Sequence, residues 1–193
     1  MTWLLSSPEG SLAYILADSG FDVWVVNNRG TRWSSRHVSL DSYSRRYWDW
    51  SWDDLVVNDM PSLVDYVCSH TGQKPHFLGH SMGTLVALAA FSEGRTVDKL
   101  KSAVLLTPVA YLSHMTTPLG ILLAKAFVGE AGGGEPLQGT VPPSWNQLLR
   151  PPQRLHRLTV QYLEQFAHAD FVIGTCAKDY VYNHVVSFFN RFN

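Results

Sequence analysis

The chain has little to cross-link it and little charge. Two cysteines, Cys68 and Cys176, stand in 193 residues. That is too few for a disulfide framework, and their spacing is not that of a metal site. Both read as small buried hydrophobes. Charged residues make up 16% of the sequence and the formal net charge is −1, with no long basic run. This excludes the electrostatic footprint of a nucleic-acid-binding protein. No run of about 18 apolar residues occurs, so no segment reads as a bilayer-spanning helix. Met1–Leu5 lacks the basic start and the apolar stretch of a signal peptide, which leaves the compartment open. What is abundant is apolar: 46% hydrophobic residues, with seven Trp, eight Tyr and nine Phe. That composition specifies a globular chain long enough for one core, and it suits a site that handles apolar substrate.

The pattern along the chain alternates between the two regular periods. Residues 11–19 read as a helix with Leu12, Ile15 and Leu16 on one face, stopped by Gly20. Phe21–Val26 is a near-continuous apolar run, as expected of a strand covered on both faces. A second helix is predicted from Trp52 to about Ser69, with Leu55, Met60, Leu63, Val64 and Val67 inward and Ser51 or Asp53 as N-cap. Strands follow at Pro75–Leu78 and Lys101–Pro108, with an alanine-rich helix between them. Tyr111–Val128 carries a helical pattern, and 129–155 is a glycine- and proline-rich connector. Leu158–Leu163 alternates as a strand, and a last helix spans about Ala177 to Phe192, with Val181, Val185, Phe188 and Phe189 on one side. Alternating strands and helices predict an α/β fold with a doubly wound, mostly parallel sheet.

One motif in this frame carries chemistry. Gly79-His80-Ser81-Met82-Gly83 is a G-x-S-x-G between a predicted strand and a predicted helix, the context of a nucleophile elbow. The turn is tight enough that the positions two before and two after the serine must be nearly free of side chain, which Gly79 and Gly83 satisfy. Ser81 then stands at a helix start, and the backbone N–H of Met82 can face a developing oxyanion. An elbow serine needs a base. His168 lies on a loop after the last predicted strand and before the terminal helix, where such a fold places its histidine. His184, inside the terminal helix, is its rival. His37, His70, His76, His80, His114 and His156 read as structural or solvated. Arg29, after the Phe21–Val26 run, is expected to pair with a carboxylate. The Tyr47–Trp52 cluster is expected to pack beneath a helix start, although it leaves a transient lipid-interface contact open.

Four stretches together resemble the acid lipases of the lysosomal and gastric group, within the α/β-hydrolases. They are TWLLSSPEGSLAYILADSGFDVWVVNNRGTRWS, YWDWSWDDL, FLGHSMGT and LTVQYLEQFAHADFVIGTCAKDYVYNHVVSFF. They cover most of residues 2–128 and 156–192. The resemblance implies a hydrolase of triacylglycerols and sterol esters that needs no cofactor or metal. In it Ser81 matches the nucleophile, Met82 supplies an oxyanion N–H, and His168 matches the base. Members of this family are usually secreted or vesicular.

Two family features have no counterpart. The oxyanion segment containing His-Gly-Leu precedes the TWLL stretch in the family. The acid lies in a Gly-Gly-x-Asp loop between nucleophile and histidine, and nothing between Thr107 and Arg157 resembles it. Most of the lid-bearing insertion is missing as well. Of the carboxylates in reach, Glu130 and Glu135 flank the connector, Glu164 lies four residues before His168, and Asp170 two after it. None is assigned as the acid. The expectation is a single shortened hydrolase domain, its site present in part, with impaired turnover. Losing one oxyanion donor costs about 10²–10³ in rate, and losing the orienting acid about 10⁴. The rival expectation is a catalytically silent chain that binds apolar ligand or a partner, or that does not fold stably.

Overall fold

The computed structural model describes residues 2–94, 96–109 and 158–193. Helix α1 (Leu12–Asp18) buries Leu12, Ala13 and Leu16 and ends ahead of Gly20, which takes a φ of 90°. A long helical stretch then runs through α2 (Trp52–Asp54), a π-helical turn (Leu55–Asp59) and α3 (Met60–Thr71). Its start is a capping box. The Ser51 hydroxyl accepts from the Asp53 N–H at 3.2 Å, and Asp54 accepts from the Ser51 N–H at 2.9 Å. Its end is Gly72 in the left-handed region at φ 66°, where a Cβ would be strained. Strand β1 (His76–His80), helix α4 (Met82–Ser92) and strand β2 (Ser102–Leu106) follow, and β1 pairs with β2 in parallel. After the described residues resume come α5 (Asp170–Ile173), a π-helical turn (Lys178–Tyr182) and α6 (Asn183–Asn190). Among the described residues, no helix is long and apolar enough to cross a membrane. The predicted helix over Tyr111–Val128, the connector, Glu130 and Glu135 lie outside them.

The pleat of two strands separates two cores. Leu78, Val104 and Leu106 face one side, where they meet Leu12 and Leu16 of α1, Val172, and Val181, Tyr182, Val185 and Phe189 of the C-terminal helix. Phe77 and Leu105 face the other, where Leu55, Met60 and Val64 pack against Val86, Ala87, Ala89 and Ala90 of α4. Successive residues point to opposite faces, so each strand serves both cores. This is the helix-covered parallel sheet that the alternating pattern predicts.

Two predicted strands do not form. Phe21–Val26 makes no strand, and Trp24, Val25 and Val26 are exposed. Side chains hold it in place instead: Phe21 lies edge-on to the His76 and Phe189 rings at 6.0 Å, Val23 packs on the core, and Trp24 meets Tyr66 edge-on at 5.8 Å. A cleft of about 1360 Å³ separates this segment from β1. Ser81 N–H reaches Leu106 O at 3.3 Å and Lys101 N–H reaches Pro75 O at 2.9 Å, so odd-numbered peptide groups point to β2. The two-residue period then turns those of His76, Leu78 and His80 into the cleft. Apolar composition makes a segment fit for a sheet, but a strand exists only where a neighbouring edge meets its backbone. Leu158–Leu163 fails for the same reason: Leu158, Val160 and Tyr162 are exposed, and the segment pairs with no strand among the described residues.

Cys176 is exposed rather than buried, and Cys68 is half-buried. In the aromatic cluster Tyr47 is buried as expected, but Trp48 is exposed. Arg29 does pair. Its Nε meets the two Asp59 oxygens at 2.9 and 3.0 Å, its Nη2 also bonds Asp59, and Asp54 lies 3.7 Å from its Nη1. This fork ties the segment after Val26 to the π-helical turn. Arg29→Ala is expected to cost about 1 kcal/mol in a denaturant titration, since the pair is partly solvated. Arg29→Lys should recover only part of it, because an ammonium cannot reproduce the two-pronged geometry.

Candidate active site

Ser81 ends β1 and begins α4, and the backbone there is forced. Its φ is 54° and ψ −120°, a conformation that a side-chain-bearing residue rarely adopts. Thr107, one residue past the Leu106 that pairs with His80, is the other non-glycine residue with positive φ among the described ones, at 47°. The two strained residues therefore sit side by side at the ends of the two strands. The turn closes because Gly79 has no side chain: a Cβ there would lie 2.8 Å from a Phe77 ring carbon and 3.2 Å from the Gly83 carbonyl. A Cβ on Gly83 would meet nothing within 4 Å. The requirement for a bare backbone thus falls on Gly79, against the expectation that both positions share it. Gly83 provides the main chain that Gly79 abuts.

Helix α4 starts with its first donors free. Thr84 and Leu85 N–H groups return to the Ser81 carbonyl at 2.9 and 3.4 Å. The N–H groups of Met82 and Gly83 have no backbone acceptor among the described residues. They are available to an anion beside Ser81, where the helix end adds positive potential. Thr84, fully buried, clamps the turn. Its hydroxyl donates to the Ser81 carbonyl at 2.6 Å and accepts from the Val109 N–H at 2.9 Å.

The loop before α5 brings His168 to this point, its Nε2 lying 2.8 Å from Ser81 Oγ. Partial burial of the ring, and secondarily the neighbouring His80, hold the His168 pKa below the ordinary 6.5. The ring is thereby kept neutral and able to accept a proton near neutral pH. His184, the rival, is exposed on α6. His80, read from sequence as structural or solvated, belongs to the site: its Nε2 lies 3.0 Å from the His168 carbonyl, with ring centroids 5.0 Å apart.

No carboxylate meets the second ring nitrogen of His168 among the described residues. Asp170 accepts instead from the Ala167 N–H at 2.8 Å, closing the loop, and Glu164 is exposed. Sequence reasoning missed His80, Thr84 and Thr107. A threonine in the first turn of an otherwise apolar helix was the available signal for Thr84; the other two depend on contacts distant in sequence.

A family comparison matches residues 4–130 to the alpha/beta hydrolase fold. The chain belongs to that family. Within it, this hydrolase-fold chain is similar to acid and gastric-type lipases. It is 53% identical to triacylglycerol lipase 2 of Arabidopsis thaliana over 131 residues, which are 68% of this chain and 31% of that protein. It is 45% identical to triacylglycerol lipase 1 of the same plant over 117 residues, 61% of this chain and 30% of the relative. With gastric triacylglycerol lipase of Rattus norvegicus it shares 39% over 119 residues, 61% and 30% of the two lengths. The hydrolase-fold chain thus matches about three-tenths of the length of these curated relatives.

Two outcomes follow from this geometry. Thr84→Val keeps the shape but strips both Ser81 and Val109 of a partner. It should lower unfolding free energy by about 1–3 kcal/mol in chemical denaturation. The pKa values of His168 and His76 are both depressed, mainly by burial. Below their unfolded value the unfolded chain therefore binds more protons, and the stability present at neutral pH is lost as pH falls through about 6.5. Melting temperature should be flat from about pH 8 to pH 7 and decline below.

Proposed function

We propose that the chain is a serine ester hydrolase acting on lipid esters. The observation that carries this reading is the 2.8 Å approach of Ser81 Oγ to His168 Nε2 at a helix start with free N–H groups. The Ser81 hydroxyl gives its proton to His168 Nε2 as Oγ attacks the ester carbonyl carbon. The resulting oxyanion faces the Met82 N–H. Collapse expels the alcohol, which takes the proton from Nε2 and leaves an acyl-enzyme. Water, deprotonated by the same nitrogen, then attacks the acyl carbon; the Ser81 Oγ–acyl bond breaks, Oγ takes the proton back from Nε2, and the acid leaves. The lipid character of the substrate rests on the likeness to triacylglycerol lipases.

The reading includes slow turnover. With no carboxylate on the second nitrogen of His168 among the described residues, nothing there stabilises the imidazolium that forms. Removal of that acid from an intact triad costs about 10⁴ in rate. A second reading, a chain that binds an apolar ligand without turning it over, draws on the same missing partner and on the size of the cleft.

The purified chain is expected to hydrolyse short activated esters slowly and to be labelled at Ser81 by a fluorophosphonate, with both abolished in Ser81→Ala. His168→Ala should lower the rate less than in a complete triad, because an unoriented base contributes less. The rate should fall as pH drops through the His168 titration, below 6.5, and stay level above it. Absence of labelling would favour the binding reading. Vigorous triolein turnover that depends on Ser81 would refute slow turnover.

A further inference from the structure

The base in this site is held by an arrangement that the serine–histidine pair alone does not explain. Loop 167–170 is tied to itself by the bond from the Ala167 N–H to Asp170 and by the bond from the Asp170 N–H to the Ala167 carbonyl, at 2.8 and 3.0 Å. Its flanks are fixed by packing, with Phe166 against Phe171 and Tyr180 and Val172 in the core. Neither feature sets the position of His168 relative to Ser81. Among the described residues, the polar contact between the His168 backbone and another element comes from His80, 88 residues away in sequence. The acceptor is a carbonyl, so His80 Nε2 must carry the proton. The His80 ring is itself steadied edge-on by Trp3, with centroids 6.4 Å apart and planes at 81°.

We propose that His80 is the positioning residue for His168: its Nε2–H holds the base's own carbonyl so that the imidazole falls within reach of Ser81. His80 and Ser81 are consecutive at the end of β1. One rigid strand end therefore aims the nucleophile through its backbone and anchors the base through the neighbouring side chain. In a complete triad a carboxylate orients the ring from its second nitrogen. Here the orientation comes from the main chain of the same residue. The inference rests on the reading of Ser81 and His168 as a reacting pair, and its test separates the two.

Two substitutions divide the role of the ring from that of the donor. His80→Phe keeps an aromatic ring against Trp3 and His168 and removes the donor. His80→Gln removes the ring and keeps an N–H donor at comparable reach. Each is compared with the unaltered 193-residue chain by fluorophosphonate labelling rate, by amide hydrogen exchange across residues 164–172, and by melting temperature. His80→Phe should slow labelling about tenfold, the effect of losing one orienting hydrogen bond, and should speed exchange in the 164–172 segment at nearly unchanged melting temperature. His80→Gln should stay within about threefold of the parent rate and retain the protection. Should His80→Phe not fold, His80→Met, also without a donor, takes its place. Parent-like labelling and exchange in the donor-less variant would overturn the proposal, as would His80→Gln failing in the same way as His80→Phe. If the parent chain itself is not labelled, the reacting pair is refuted, and the exchange comparison alone decides whether His80 holds the loop.

Discussion

The parallel pairing of His76–His80 with Ser102–Leu106 is the constraint on which the other features of the described structure depend. Each strand sends alternate residues into two separate cores, one built with α1 and the C-terminal helix and one with α3 and α4. The same pair ends in two residues with positive φ, Ser81 and Thr107. Those conformations persist only because packed helices on both faces fix the strand ends. Loosening either core would therefore reach the site through its backbone before it reached any side chain that touches a substrate.

The sequence was informative where structure is local. The helix over 60–71, the elbow, the strand over 102–106 and the terminal helix follow from period, caps and turn glycines within a few residues of each other. Where structure requires a distant partner, the sequence pattern was insufficient. Phe21–Val26 and Leu158–Leu163 have the composition of strands, yet neither forms one, because strand formation depends on an edge elsewhere in the chain. His80 is the same lesson at a single residue. Its neighbours in sequence make it part of a motif, and only the arrival of the 167–170 loop gives it a partner. Gly83 erred in the other direction: its place in the motif suggested a steric demand that the geometry assigns to Gly79.

The likeness to triacylglycerol lipases and the contents of the site bear differently on function. Identity of 39–53% over about 120 residues ties this chain to those proteins, across about three-tenths of their length. The described residues hold a serine hydroxyl within 2.8 Å of a histidine nitrogen, beside a helix start with free donors. They do not hold a carboxylate for the base. The first three are assembled within one strand end and one loop, while the acid in such folds comes from a separate stretch of chain. The separable parts of a triad differ in cost, which is why a partial site can retain chemistry at a reduced rate.

The dihedrals of Ser81 set fold and chemistry against each other at a single position. A φ of 54° with ψ −120° suits glycine better than serine, and holding a side chain there costs of the order of 1–3 kcal/mol. A change made for heat resistance alone would accordingly be Ser81→Gly. Glycine would relax the backbone here and remove the hydroxyl in the same step, so strain and hydroxyl cannot be separated by that substitution.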